Sequence, residues 1–226
     1  MSGMVEKALV FAKECHGGDN SGHDIAHILR VLANAERILA EIPAADAEAV
    51  RLAAALHDVD DYKLSENNGR AEKFLQEAGI DEALREKVLA IIGAISFSKS
   101  GSKPHFNRIE QAIVSDADKL DAMGAIGVCR TVMYSAATGR ALFEPTEFPA
   151  ENLSAAAYKN KNRAGNHAIN HFFDKLLRLK GAMQTDAGRR EAEKRHRFMI
   201  AFLQEFFADV EAPEWQSYMD SYLKQI

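Results

Sequence analysis

The run Leu52-Ala53-Ala54-Ala55-Leu56 is apolar on every side of a helix and passes directly into His57-Asp58. A helix that is hydrophobic all round has no face to give to water, so it must be buried. The His-Asp pair therefore lies at the end of a buried helix. An ionised carboxylate in such a place is tolerated when it is paired or binds a metal ion, and is costly otherwise. Two readings follow from these residues alone. One is an Asp beyond a helix C-terminus with a nearby His partner, and the other is a metal ligand pair.

The rest of the chain supplies helices to surround that run. Val5, Ala8, Leu9 and Ala12 fall at i, i+3, i+4 and i+7, a single apolar stripe that stops before Gly17-Gly18. Ile25, Ile28, Leu29, Leu32, Ala35, Ile38 and Leu39 share a face of a second helix, expected to end at Ile42 because the residue before Pro43 avoids the α region. A third helix is expected from about Asp46 to Leu56. Others are predicted near 68–78 (closed by Gly79), 81–95, 107–123 and 125–137, then two long ones at 154–183 and 186–210, then a short one opened by Pro213. No segment alternates with a period of two, and Gly and Pro are few, 14 and 5 of 226 residues. The predicted class is all-α, one domain over residues 1–226, with C-terminal helices from about 154 packed on a core of about 20–137. Two irregular stretches, 96–106 and 138–154, are long enough to be functional. The first carries Lys99, Lys103 and His105, and the second is expected to form a flap.

Several function classes are excluded at this level. The formal net charge is −5, so there is no general attraction for a nucleic acid polymer or an anionic membrane. The longest apolar run, Leu89 to Ile95, is far shorter than the ~20 residues of a membrane span. The N-terminal apolar stretch carries Glu and Lys, unlike a signal peptide. Cys15 and Cys129 are far apart and form no CxxC pair, so two free thiols and a cytoplasmic location are expected.

The chemistry sits where histidines meet acids: His23-Asp24-Ile25-Ala26-His27, His57-Asp58-Val59-Asp60-Asp61 and Asp116-Ala117-Asp118-Lys119-Leu120-Asp121. In the third cluster Ile113 and Val114 precede, and Leu120, Met123 and Ile126 follow at helical spacing. Asp118 then shares a side with apolar neighbours and faces inward, although a solvated acidic face is the bland alternative. Acids beside buried apolar runs in two separate segments are most economically explained by a divalent cation, with His27 supplying a further nitrogen donor. Imidazoles together with carboxylates suit Mn²⁺, Fe²⁺, Zn²⁺ or Ni²⁺ better than an all-oxygen Ca²⁺ site.

The order His, His-Asp, Asp resembles the HD superfamily of metal-dependent phosphohydrolases. The resemblance is strongest to a small bacterial branch similar to nucleotide pyrophosphohydrolases. Its landmarks stand here as HDIAHILRV at 23–31, HDVDDYK at 57–63 and SDADKLDAMGAIGVCRT at 115–131, with SFSKS at 96–100 and GRALFEP at 139–145. Similarity continues through HFFDKLLRLKGAMQTDAGRREAEKRHRFMIAFLQEF at 171–206, so it spans about residues 20 to 210.

That resemblance implies a helical bundle around one divalent metal ion, Mn²⁺ foremost, with Mg²⁺, Ni²⁺, Fe²⁺ or Zn²⁺ as alternatives. It assigns the ligands to His27, His57, Asp58 and Asp118, with Asp118 preferred to Asp116 and Asp121. It puts Asp61 at the attacking water. By their place in the sequence Lys63, Lys99 and Lys119, then Arg30 and Lys103, are expected to face the phosphates of a small molecule, with His23 as a pocket residue, a support to the ligands or a cap. The implied reaction converts a (deoxy)nucleoside triphosphate to monophosphate and pyrophosphate. A 5′-nucleotidase or phosphomonoesterase, or a non-catalytic sensor of metal and nucleotide, are the alternatives, and a homodimer is compatible with either. His23 and His27 also resemble the zincin H-E-x-x-H pair, but Asp24 replaces its catalytic Glu and the pair opens its helix. A dinuclear oxygenase site would need more histidines than His105 between Asp58 and Asp118.

Overall fold

The computed structural model describes residues 3–16, 25–60, 69–95, 106–150 and 164–226. Among them every regular element is a helix, in agreement with the all-α expectation. They are α1 (Gly3–Cys15), α2 (Ile25–Leu39), α3 (Ala47–Leu56), α4 (Arg70–Glu77), α5 (Glu82–Ile95), α6 (Ile109–Asp121) and α7 (Gly124–Ala137). After these come α8 (Ala168–Asp174), a 3₁₀ helix (Leu176–Ala182), α9 (Asp186–Asp209) and α10 (Pro213–Leu223). No described helix is long and apolar enough to cross a membrane. The chain divides into two compact units, Met1–Asp121 with Gln184–Gly188, and Ala122–Met183 with Arg189–Ile226.

In the first unit α3 is the axle. Val50, Leu52, Ala53, Ala54, Ala55 and Leu56 are all fully buried, because α1, α2, α5 and α6 pack around it. Each large side chain buried this way is worth about 1.5–3 kcal/mol, and the alanines let the neighbouring helices approach closely. Asp46 caps α3, its carboxylate accepting from Ala49 N at 3.1 Å and its backbone N–H donating to Glu110 at 3.0 Å. The α2 helix ends at Leu39 rather than Ile42, since Glu41 and Ile42 donate to Ile38 and Leu39 and tighten the last turn ahead of Pro43. Gly79, with φ at +70°, closes α4 as expected.

Asp116 fastens a distant strip of chain to α6. It is completely buried, and it accepts from Gln184 N (3.0 Å), Thr185 N (2.8 Å) and Thr185 Oγ1 (2.8 Å). The solvated acidic face considered for this cluster is therefore not what forms, for Asp121 is buried as well. Gly188 passes so near that a Cβ there would overlap the Asp116 and Thr185 oxygens.

The second unit is built on aromatic packing. Trp215 is fully buried, its Nε1–H donates to Pro145 O at 2.8 Å, and Phe148 stacks on it at 4.3 Å. Phe143, Phe173 and Phe207 complete the cluster. Residues 139–150, expected as a flap, are thus tied into this core. The long helix expected over 154–183 is not continuous. Gly165 at φ +70° precedes α8, His167 caps it by accepting from Asn170 N, and Lys175 at φ −140°, ψ −58° separates it from the 3₁₀ turn.

Asp116→Asn should lower the stability of the protein by about 2 kcal/mol in chemical denaturation, because a buried amide cannot accept from three donors as a carboxylate does. A change below about 0.5 kcal/mol would show that the anchor to Gln184 and Thr185 is dispensable.

Candidate metal centre

Three helices of the first unit bring their polar ends to one point. His27 lies in the first turn of α2, His57 is the C-cap of α3, and Asp118 lies on α6 beside the buried Ala117 and Leu120. One donor atom from each of these three residues falls within 4.8 Å of the others, a group able to hold a metal ion. Asp58 joins them from the residue after the cap. His27 Nε2 is 3.3 Å from Asp58 Oδ2 and 3.5 Å from Asp118 Oδ1, and His57 Nε2 is 3.5 Å from Asp58 Oδ1 and 3.7 Å from Asp118 Oδ1.

The tautomer of each imidazole is set by its other nitrogen. His57 Nδ1–H donates to Ala54 O at 3.0 Å, since a carbonyl only accepts. Among the described residues, His57 Nε2 is buried with no hydrogen-bond partner of its own. His27 Nδ1–H donates to the buried carboxylate of Asp121 at 2.7 Å. Arg30 holds that carboxylate in turn, through Nε at 2.6 Å and Nη2 at 3.0 Å. Both Nε2 atoms therefore face the carboxylates of Asp58 and Asp118. Ligands bound at about 2.1 Å to one centre stand about 3.0–3.5 Å apart, close to the separations found here. The donor set fits a divalent cation of the first transition row. Asn34 keeps α2 and α6 in register by donating to Ala117 O at 3.0 Å.

The electrostatics agree with the geometry. Burial opposes an imidazolium at His57, but the carboxylates of Asp58 and Asp118 overcome it and raise its pKa to about 10. His27 is raised in the same way, against its burial, by Asp121 and Asp58. Burial works against the Asp118 carboxylate, yet the two imidazoles hold its pKa below the ordinary value. The side chain of Asp118 is 39% exposed while those of both histidines are at most 3% exposed, so the centre opens to solvent on the α6 side.

Of the residues expected around the substrate, Lys119 and Arg30 fall within the described structure. Lys119 bends back to Ser115 on its own helix, lies 5.9 Å from the Phe106 ring centroid, and has its pKa lowered by burial. Arg30 is engaged with Asp121. Asp61, Lys63, Lys99 and His23 lie outside the described residues. What the sequence did not reveal is Asp121 as the group that orients His27. The signal was present in the helical repeat. Asp121 is three residues after Asp118 and shares its side of α6, whereas Asp116, two residues before, points away.

Residues 24–123 match the HD domain family model. The Bacillus subtilis protein YpgQ is 34% identical over 198 residues, 85% of this chain and 86% of YpgQ. The chain belongs to the HD superfamily of metal-dependent phosphohydrolases. Among solved structures, one from Lactobacillus plantarum superposes with a TM-score of 0.81 at 32% identity, covering 94% of this chain and 98% of that one. YpgQ in complex with ADP gives a TM-score of 0.71 at 31% identity, covering 91% and 97%. An HD-superfamily hydrolase from Bacillus thuringiensis gives 0.71 at 36% identity, covering 92% and 97%.

Metal affinity should respond to the partner of His27 and to the proton on His57. Asp121→Asn, measured by titration calorimetry with Mn²⁺, should weaken binding about 10- to 100-fold. In the unaltered protein, affinity should rise with pH from 6.5 towards 10, because the imidazolium proton must leave as the cation enters. A pH-independent affinity would mean that His57 Nε2 faces no cation.

Proposed function

We propose that this protein is a metal-dependent nucleotide pyrophosphohydrolase, cleaving (deoxy)nucleoside triphosphates to monophosphate and pyrophosphate. The observation that carries the reading is the convergence of His27, His57, Asp58 and Asp118, taken with a relative of 31% identity whose structure holds ADP. In this reading these four residues are the metal ligands and Mn²⁺ is the resident ion. A divalent cation bound there supplies a lowered water pKa and stabilises charge that builds on the phosphoryl group.

The chain's own residues carry the remaining roles. Asp61, three residues beyond Asp58, orients the attacking water and accepts its proton. The water oxygen bonds to the α-phosphorus, the α–β anhydride bond breaks, and pyrophosphate departs with its electron pair. In this reading Lys63, Lys99, Lys119, Arg30 and His23 bind the phosphates, where a cation offsets the charge of the leaving group. The lowered pKa of Lys119 supports its place in a partly dehydrated pocket. The proposed substrate is a free small molecule, with neither a nucleic acid polymer nor a membrane as partner. The proposed setting is the cytoplasm, in line with two unpaired cysteines.

The test is a chelator-stripped preparation, resupplied with Mn²⁺, Mg²⁺, Ni²⁺ or Zn²⁺ and assayed on a nucleotide panel for pyrophosphate and for phosphate. Pyrophosphate release from triphosphates is expected. It should be absent in the His57→Ala/Asp58→Ala double variant, while Asp61→Asn should keep its metal and lose at least 100-fold in kcat. Phosphate release from monophosphates would instead make the protein a nucleotidase, and tight binding without turnover would make it a sensor.

A further inference from the structure

We propose that Asp60 is a positioning residue of the metal centre, one that bolts the turn presenting Asp58 to the N-terminus of α4. Asp58 belongs to no helix. It lies in the turn formed by residues 57–60, beyond the end of α3. The ladder of a helix therefore does not hold its backbone, yet its carboxylate stands 3.3 Å from His27 Nε2 and 3.5 Å from His57 Nε2. Such a turn keeps its place only if the residues after it are fixed. Val59 supplies one hold, being fully buried, with its N–H donating to Leu56 O at 3.2 Å. Asp60 supplies a stronger one. One of its carboxylate oxygens accepts from Arg70 N at 2.7 Å and the other from Ala71 N at 3.2 Å.

The bolt serves α4 as well as the turn. The first N–H groups of a helix have no partner within it, and the N-cap of α4 is Gly69, which has no side chain to offer. Asp60 provides the missing cap from a distance, and a carboxylate suits the positive end of the helix dipole. The base to which it is fastened is firm. Ala71 and Leu75 are buried, Phe74 stacks on Phe11 of α1 at 4.7 Å, and the Arg70 side chain bonds to the Cys15 thiol. The two adjacent acids of the HDVDD motif are thereby told apart. Both oxygens of Asp60 are occupied by backbone N–H groups, so it serves the centre by holding Asp58 in place and not by handling water.

This role rests on the reading of Asp58 as a metal ligand, and Mn²⁺ titration of the full chain tests both. Asp60→Ala removes both bonds and should weaken Mn²⁺ binding about 10- to 100-fold in calorimetry, the usual effect of losing a support behind a ligand. Asp60→Asn keeps one acceptor and should lose less. The paramagnetic resonance spectrum of bound Mn²⁺ should change in Asp60→Ala and lie nearer the unaltered protein in Asp60→Asn. Without metal, Asp60→Ala should exchange the amide hydrogens of Arg70 and Ala71 faster. Leu75→Ala is the control: it loosens the packing of α4 and lowers Tm, but leaves the cap in place and should leave Mn²⁺ affinity unchanged. Unaltered affinity in Asp60→Ala overturns the inference. So does an equal loss of affinity in Leu75→Ala, which would make Asp60 a stabiliser only. If the unaltered protein takes up no Mn²⁺, the metal reading falls, and this role with it.

Discussion

The centre depends on two hydrogen bonds made by the far sides of its imidazoles. His27 gives its Nδ1 proton to Asp121 and His57 gives its own to the α3 carbonyl of Ala54. Each ring is thereby fixed in rotation and in tautomer, and each must turn Nε2 towards the carboxylates. Without Asp121 the α2 imidazole could pivot, and without the C-cap position the α3 imidazole would have no carbonyl to hold it. Arg30 completes the arrangement by holding the Asp121 carboxylate through two hydrogen bonds. Helix packing delivers the residues, and these bonds decide which atoms they present.

The readable parts of this molecule are those in which composition and periodicity act alone. An apolar run with no polar side could only be a buried helix, and α3 is one. The His-Asp pair at its end follows directly. The stop at Gly79 and the start at Pro213 were equally visible, because those residues act through backbone geometry alone. The contacts of Asp116 with Gln184 and Thr185 were not visible, since they join positions far apart in the chain and leave no local trace. The same holds for the pairing of Arg30 with Asp121, which joins α2 to α6 across a long stretch of chain. The break in the long helix expected over 154–183 came from Gly165 and from His167 acting as a cap, a role that a histidine takes less often than Ser or Asp.

Burial treats the two units differently. In the first, alanines allow helices to sit close together, and polar residues cluster at helix ends where backbone groups are available to bind them. In the second, large rings fill the space, and some of the polar atoms within it pair with groups on neighbouring elements. Tyr222, for example, donates to Phe173 O at 2.6 Å and accepts from Arg178. His167 and His196 are buried there, each with its pKa lowered chiefly by desolvation, as packed neutral imidazoles should be.

A cation held by His27, His57 and Asp118 would also be a cross-link. Its three anchors lie on α2, α3 and α6, far apart along the chain, so binding would close two long loops at a single point. Loop closure of that kind removes conformations from the unfolded chain, much as a disulfide does, but with a bond that a chelator can open. For a chain whose cysteines are unpaired, the ion would be a reversible staple across the first unit, and metal supply would govern its lifetime as well as its chemistry.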